Sequence, residues 1–447
     1  MTFFSLVSIS KYIFIAFHIK YFIIAGVIIL RNPCLEMITY HKHILSNGLR
    51  LLVIEDPTTP LVSVNTLYNV GARDEDPQRT GFAHLFEHLM FGGTRNVPEF
   101  DTVVNRVGGD SNAFTNNDFT NYYVTLPARF LETALWLESD RMRQLDFSPQ
   151  SLKVQQSVVT EEYNYRYVNQ PYGDVWMLLR PLCYKVHPYR WCTIGADIRH
   201  VQEATLDDVE SFFYRFYRPN NAILAVAGPV KSADVVRLVE KWYGDIQCGD
   251  LVERRLPAEP PQTEERRCEV EREVPSDALY VGYPMCSRFD NDFRVTDLVS
   301  DILSNGTSAR LYNQLVKQRS LFTEIDAYIT GDCDPGLFVV SGKLHKGVAS
   351  DQALDAVDEC LTQLSEQPLA DAELEKVINK YEAHFVFSQY KALDCAMSLC
   401  YYEWLGHPEW VNDEPELYRR TTTDDIRRVA TDLFQHSHRS TLFYNCK

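Results

Sequence analysis

Residues Thr80–Thr94 read TGFAHLFEHLMFGGT. Apolar residues recur at helical spacing from Phe82 to Met90, and Gly92-Gly93 supplies the stop expected at a helix C-terminus. The spacing predicts a helix over Gly81–Phe91. On it His84 and His88 stand four apart, so their imidazoles share one face with Cβ atoms about 6 Å apart, which suits two ligands of one metal ion. Glu87 projects beside such an ion, where it can take a proton from water. Leu85, Phe86, Leu89 and Met90 bury the rest of the helix. A histidine pair at this spacing also occurs as a structural feature of buried helices, so these residues alone leave both readings open.

Two histidines are too few for a catalytic zinc, which normally has three protein ligands and an open position. The candidate source of a third is VQQSVVTEEYNYR, residues Val154–Arg166. Val154, Val158 and Val159 give it one apolar edge, and Glu161 and Glu162 lie near that edge. Adjacent carboxylates on a helix are also what a solvated face shows, so the pair is informative without deciding the matter.

On either side of these segments the chain reads as α+β. Leu49–Ile54 and Leu61–Tyr68 are β-rich apolar runs, with Pro57, Thr58, Thr59 and Pro60 marking the turn between them. Asn121–Leu126 is expected as a strand and Ala128–Leu145 as a helix. Leu206–Tyr217 is a further helix capped by Thr205, and Ala222–Ala227 is a buried strand. From Leu251 to Glu273 three prolines and many charges replace apolar periodicity, and residues 251–274 read as a linker. Beyond it the order repeats. A strand at Ala278–Tyr283 precedes helical text at Phe293–Leu303 and Ser308–Leu321. Strands at Thr323–Ile329 and Gly336–Lys343 come next, then helices at Asp351–Glu366 and Asp371–Phe387. The expected architecture is two similar halves, 37–250 and 275–447, each an antiparallel-rich sheet covered by helices. The second half carries no histidine pair at helical spacing, so the halves are not chemically equivalent.

The 447 residues are 45% hydrophobic, ample for packed cores, and the 61 acidic against 44 basic side chains give a net charge of −17. That balance argues against nucleic-acid binding, which needs a basic face. Eleven cysteines, scattered and without a CxxC pair, fit reduced thiols in a cytosolic protein. Residues 1–36 stand apart. Tyr12–Leu30 is apolar and near the roughly 20 residues that span a bilayer, although His18 and Lys20 interrupt it. Signal anchor, secretory signal and an upstream extension foreign to the natural protein are the readings of this segment. The favoured expectation is a start at Met37 and a cytoplasmic protein, with membrane anchoring through residues 12–30 as the alternative.

HxxEH reverses the commoner HExxH order, and Glu162 follows His88 by 74 positions. With NGLRLLV, NVGARDED, GGDSNAFTNNDFTNYY, HPYRWCTIG and YRPNNAILAVAG, the chain from about His43 onward resembles the pitrilysin/insulinase family of zinc metallopeptidases, the inverzincins. The resemblance implies His84, His88 and Glu162 as ligands of one zinc ion and Glu87 as general base, with Glu161 as the fallback ligand. It also implies an edge strand near the metal that pairs with extended peptide substrate, here Asn112, Ala113 and Phe114 within SNAFT.

Two positions depart from the family pattern. A supporting glutamate seven positions before the third ligand is replaced by Gln155. An arginine and a tyrosine that contact the substrate carbonyl from the family's other half are replaced by Val316 and Thr323. The family either fuses two such units or assembles them from two chains. The expectation is therefore a heterodimer in which a related subunit supplies the missing arginine–tyrosine pair. A non-catalytic subunit that retains the zinc site is the alternative.

Overall fold

The computed structural model describes residues 37–447, so the apolar run Tyr12–Leu30 lies outside the described residues. Among those residues no helix is long and apolar enough to cross a membrane. Among the described residues eleven strands form two sheets. The first contains β1 (His41–Ile44), β2 (Arg50–Glu55), β3 (Leu61–Tyr68), β4 (Asp110–Thr115), β5 (Thr120–Pro127) and β6 (Ala222–Gly228), in the spatial order β1-β2-β6-β3-β5-β4. The second contains β7 (Arg266–Arg272), β8 (Ala278–Pro284), β9 (Phe322–Ile329), β10 (Leu337–Leu344) and β11 (Ser440–Cys446), in the order β7-β11-β8-β10-β9.

With β1 set aside, the two connectivities are the same. The first and last strands of each half are parallel neighbours, β2 with β6 and β7 with β11. The other pairings are antiparallel. Two similar halves of α+β architecture are thus what the chain builds.

In chain order the helices used below are α1 (Phe82–Leu89), α2 (Leu131–Arg143), α3 (Pro149–Tyr163), α4 (Val175–Cys183), α5 (Leu206–Phe216) and α6 (Ser232–Tyr243). They continue with α7 (Phe293–Ser304), α8 (Ser350–Glu366), α9 (Asp371–Ser388), α10 (Ala392–Trp404) and α11 (Thr423–Leu433). Leu85, Phe86, Leu135, Val209, Phe213 and Val239 from α1, α2, α5 and α6 form one core with Val62, Val64, Val124 and Val226 of the first sheet. Leu298, Ile302, Val357, Leu361 and Val429 from α7, α8 and α11 do the same on the second with Val281 and Val340. Thr205 and Thr422 each close a capping box three residues ahead, with Asp208 and Asp425, and so start α5 and α11 in the same way.

Each sheet needs a cover on its other face, and each half lends the other one helix. Val175, Leu179 and Cys183 of α4 pack on Ala278, Val339 and Leu442 of the second sheet. Helix α10 lies across β3 and β6 of the first. There Cys400 Sγ sits 3.8 Å from the Asn65 and Ile223 carbonyls, and Trp404 Nε1 donates to Asn69 at 2.8 Å. With both faces covered, β6 is buried along its whole length, which is why AILAVAG shows no alternation.

The hairpin turns after β4 and β9 meet between the halves. Asn117 Nδ2 donates to Asp332 at 2.7 Å, and Arg73 pairs with Asp118 at 3.0 Å and Asp334 at 2.9 Å.

Two expectations change. Residues 251–274 are not linker throughout, because Arg266–Arg272 forms β7. Its alternating half-buried pattern gains a partner only when the final strand of the chain lies beside it. Val154 and Val158 do not form the buried edge of α3. They are 45% and 44% exposed, and Leu152 and Val159 seat the helix instead.

Candidate metal centre

The start of α1 is fixed from three sides. Gly81 adopts φ +87°, and a Cβ there would come within 2.7 Å of the Ile194 carbonyl oxygen. The Glu75 side-chain oxygens accept the Gly81 and Ala83 N–H groups at 2.8 and 2.9 Å and cap the first turn of the helix. Burial pushes Glu75 up to about 8 despite those bonds. Thr80 Oγ1 accepts the Ala196 N–H at 2.8 Å, tying the GARDED and TIG segments to the same helix end.

Phe82, Ala83, Leu85, Phe86 and Leu89 face the core, leaving His84, Glu87 and His88 on the other side of α1. Helix α3 packs along that side and brings Glu162 to both imidazoles. His84 Nε2 and His88 Nε2 lie 3.5 and 3.2 Å from Glu162 Oε2. One donor atom from each of the three residues lies within 4.8 Å of the others. Tetrahedral zinc with bonds of about 2.0–2.1 Å places its donor atoms roughly 3.4 Å apart, so the spacing suits co-ligands of one small ion. Two imidazole nitrogens and a carboxylate oxygen also form the donor chemistry that zinc prefers.

The electrostatics agree. Burial lowers His84 to about 4, which keeps its ring neutral and able to ligate. Contact with His88 holds Glu162 below the usual carboxylate range against the opposing effect of burial, helped by His84 and Arg166. Arg166 Nη1 pairs with Glu162 Oε1 at 3.1 Å, leaving Oε2 to face the imidazoles. Burial raises Glu87, and a hydrogen bond from the Thr115 hydroxyl pulls the other way.

The remaining sequence candidates fall as follows. Glu161 is exposed and lies outside the cluster. Gln155 lies on α3 beside Gly92, at the end of α1. Asn112, Ala113 and Phe114 lie on β4, an edge of the first sheet that packs against α1. Asn112 Oδ1 accepts the Ala113 N–H at 2.9 Å, and the Phe114 ring meets Phe119 edge-on at 5.8 Å. Val316 packs against the second core, and Thr323 Oγ1 donates to the Lys343 carbonyl at 3.1 Å.

Sequence reasoning missed Glu75, Thr115 and Arg166. Arg166 was legible as the i+4 partner of Glu162. Glu75 and Thr115 reach α1 only through the turns of the fold.

The fold and cluster define a class: an α+β protein of two similar halves with a His-His-Glu group able to hold one metal ion beside a half-buried carboxylate and a sheet edge. Residues 50–175 match the model of Insulinase (Peptidase family M16), and residues 203–381 match that of the Peptidase M16 inactive domain. The chain belongs to this family. It is 28% identical to the zinc protease PqqE of Helicobacter pylori over 407 residues, 89% of this chain and 91% of that protein. The crystal structure of a protease from Helicobacter pylori superposes with a TM-score of 0.85 at 28% identity, over 91% of this chain and 99% of that one. The periplasmic protease PqqL from Escherichia coli shares the fold, with a TM-score of 0.75 at 18% identity. There the match covers 91% of this chain and 47% of the other, so this chain has the size of about half of it.

Proposed function

We propose that this chain is a zinc-dependent metalloendopeptidase that hydrolyses peptides or unfolded proteins. The observation that carries the reading is the meeting of His84, His88 and Glu162 on one side of α1, with Glu87 beside them and the edge of β4 alongside. His84, His88 and Glu162 would hold the ion. Zinc, when bound, lowers the pKa of a water molecule and polarises the scissile carbonyl. Glu87 accepts the proton of the attacking water and returns it to the leaving amine, and burial favours the protonated form it passes through. Thr115 steers the Glu87 carboxylate. The backbone edge of β4 holds extended substrate by main-chain pairing at Asn112, Ala113 and Phe114.

Val316 and Thr323 supply no cationic or phenolic donor for the developing oxyanion. A related partner subunit carrying an arginine–tyrosine pair completes the site, and the half-length match to PqqL supports that pairing. A zinc-holding structural subunit is the second reading, favoured by the same two residues and by Gln155.

The decisive experiment compares wild type with Glu87→Gln, alone and co-expressed with a related subunit. Zinc stays stoichiometric in both proteins, and hydrolysis falls by about 10²–10⁴ in the variant. Undiminished hydrolysis by Glu87→Gln would refute the role of Glu87. Failure of the wild type to cleave, even with its partner, would leave the structural reading.

A further inference from the structure

β4 ends at two different features. At its C-terminal end Thr115 bonds Glu87, so this end abuts the reacting atoms. At its N-terminal end Asp110 lines a cavity of about 640 Å³. Pro60 in the turn before β3, Leu61 of β3 and Thr125 of β5 line the cavity from the first half, and Tyr390, Ala392 and Leu393 line it from the second. The second group comes from the second half, where the chain leaves α9 and crosses to the first sheet to begin α10.

Two large apolar side chains at this cavity are left in solvent. Tyr390 is 86% exposed and Leu61 41% exposed. Single exposed apolar residues are common, but a ring, a leucine, a proline and a further leucine around one concavity at a strand end make a receptor for apolar surface.

Strand geometry links the two ends. From Asp110 to Thr115 the backbone advances by about 17 Å at about 3.4 Å per residue. A peptide paired along the free edge of β4, with a scissile bond beside Glu87, therefore reaches the cavity about five residues away. Strand alternation presents its side chains to opposite faces, so a single residue near that position can enter.

We propose that this cavity is a distal substrate subsite that takes a large apolar side chain, aromatic or branched aliphatic, about five residues from the cleaved bond. The proposal rests on the peptidase reading above. Asp56, Asp110 and Lys391 also line it and supply its charged groups. Because Tyr390 belongs to the second half, the subsite makes substrate selection by the metal-bearing half depend on the half without metal.

The test uses fluorescent peptides of twelve residues or so, each carrying Phe, Leu, Ser or Glu in turn at every position around a fixed cleavage site. Binding to the zinc-loaded chain is read by anisotropy, and cleavage is read in parallel with the partner present. Phe and Leu at one position four to six residues from the scissile bond should improve binding roughly tenfold over Ser, the scale of an apolar pocket. Tyr390→Ala and Leu61→Ser should bring that ratio close to one. Phe387→Ala, at an aromatic that is also largely exposed but lies outside the cavity lining, should keep it. A flat positional profile, or a ratio that survives Tyr390→Ala, overturns the subsite. Positional preference in binding without cleavage would sink the peptidase reading and leave the subsite standing, whereas cleavage without preference does the reverse.

Discussion

With β1 left out, each half sets the helix that follows its second strand against the second helix after its fourth, α1 on α3 in the first half and α7 on α9 in the second. The contents of the two contacts differ. In the first, two imidazoles and one carboxylate meet with their nitrogens and oxygen 3.2 to 3.5 Å apart. In the second, α7 carries Asp297 and Asp301, also four residues apart, and both are answered by protein groups. Tyr418 donates its hydroxyl to Asp297 at 2.6 Å. Burial raises Asp301, opposed by the hydrogen bond from Asn305 and by Lys380 and His384 on α9. Among the described residues no second group of metal-ligating side chains gathers there. The same scaffold thus gathers three potential metal ligands in one half, whereas in the other the two carboxylates bond to a tyrosine hydroxyl and an asparagine amide. Fold does not carry the chemistry; the side chains set on it do.

That contrast can be broken. The largest effect is expected from Glu162→Ala, which should take bound zinc from one per chain to nearly none, because two imidazoles remain. Asp301→Ala, the acidic counterpart on α7, should leave zinc content unchanged. Metal analysis after gel filtration reads both, and equal zinc loss in the two variants would end the claim that only the first half binds metal.

The next effect tests how far the halves are separate units. Leu179 of α4 and Leu399 of α10 are fully buried against the opposite half's sheet. Each truncation to alanine should destabilise by about 2–5 kcal/mol and in one cooperative transition, since neither core is complete without the other half's helix. Two resolved denaturation transitions would show the halves melting independently.

A smaller change is expected from Glu75→Gln. The amide keeps one acceptor oxygen for the Gly81 and Ala83 amides and turns an NH2 group toward the other, so the α1 start should weaken by about 1 kcal/mol. Zinc affinity measured by chelator competition should fall by less than tenfold. A loss as large as that of Glu162→Ala would place Glu75 among the ligands, contrary to its position at the helix start.

Much of this contrast was legible in the chain. Periodic text fixed β3 at Leu61–Tyr68 to the residue, and the spacing of His84, Glu87 and His88 gave one face of α1 before any fold was known. Glu162 was harder to choose over Glu161, because a one-step change of register on a helix turns a side chain by about 100° and only packing on α1 sets it. The edge strand β7 and its neighbour β11 were missed for another reason. RRCEVER has no strand signal strong enough against its charges, and its partner is 174 residues away in sequence at Ser440–Cys446. The exchange of α4 and α10 was illegible too, since an amphipathic helix says that it must be covered and not by which sheet.

The finest test of the comparison is a titration in the half without metal. Burial among the packed helices raises Asp297 from the ordinary 3.8 to about 6, partly opposed by the Tyr418 hydroxyl that donates to it. Between about pH 4 and pH 6 the folded chain holds a proton here that the unfolded chain has released. The stability contributed by this group is therefore present in full below about pH 4 and is lost as pH rises through about 6. In Asp297→Asn the Tyr418 hydroxyl keeps an acceptor while the buried charge is gone. Subtracting wild-type from variant stability across pH 4 to 7, by urea denaturation, cancels other titrating groups such as Asp118, which burial also raises to about 6. The difference should grow in favour of the variant as pH rises and level off above about 6. A difference that stays flat would mean that Asp297 is ionised throughout that range, with charge partners as strong as those of Glu162, and the chemical asymmetry drawn here between α7 and α1 would then be too sharp.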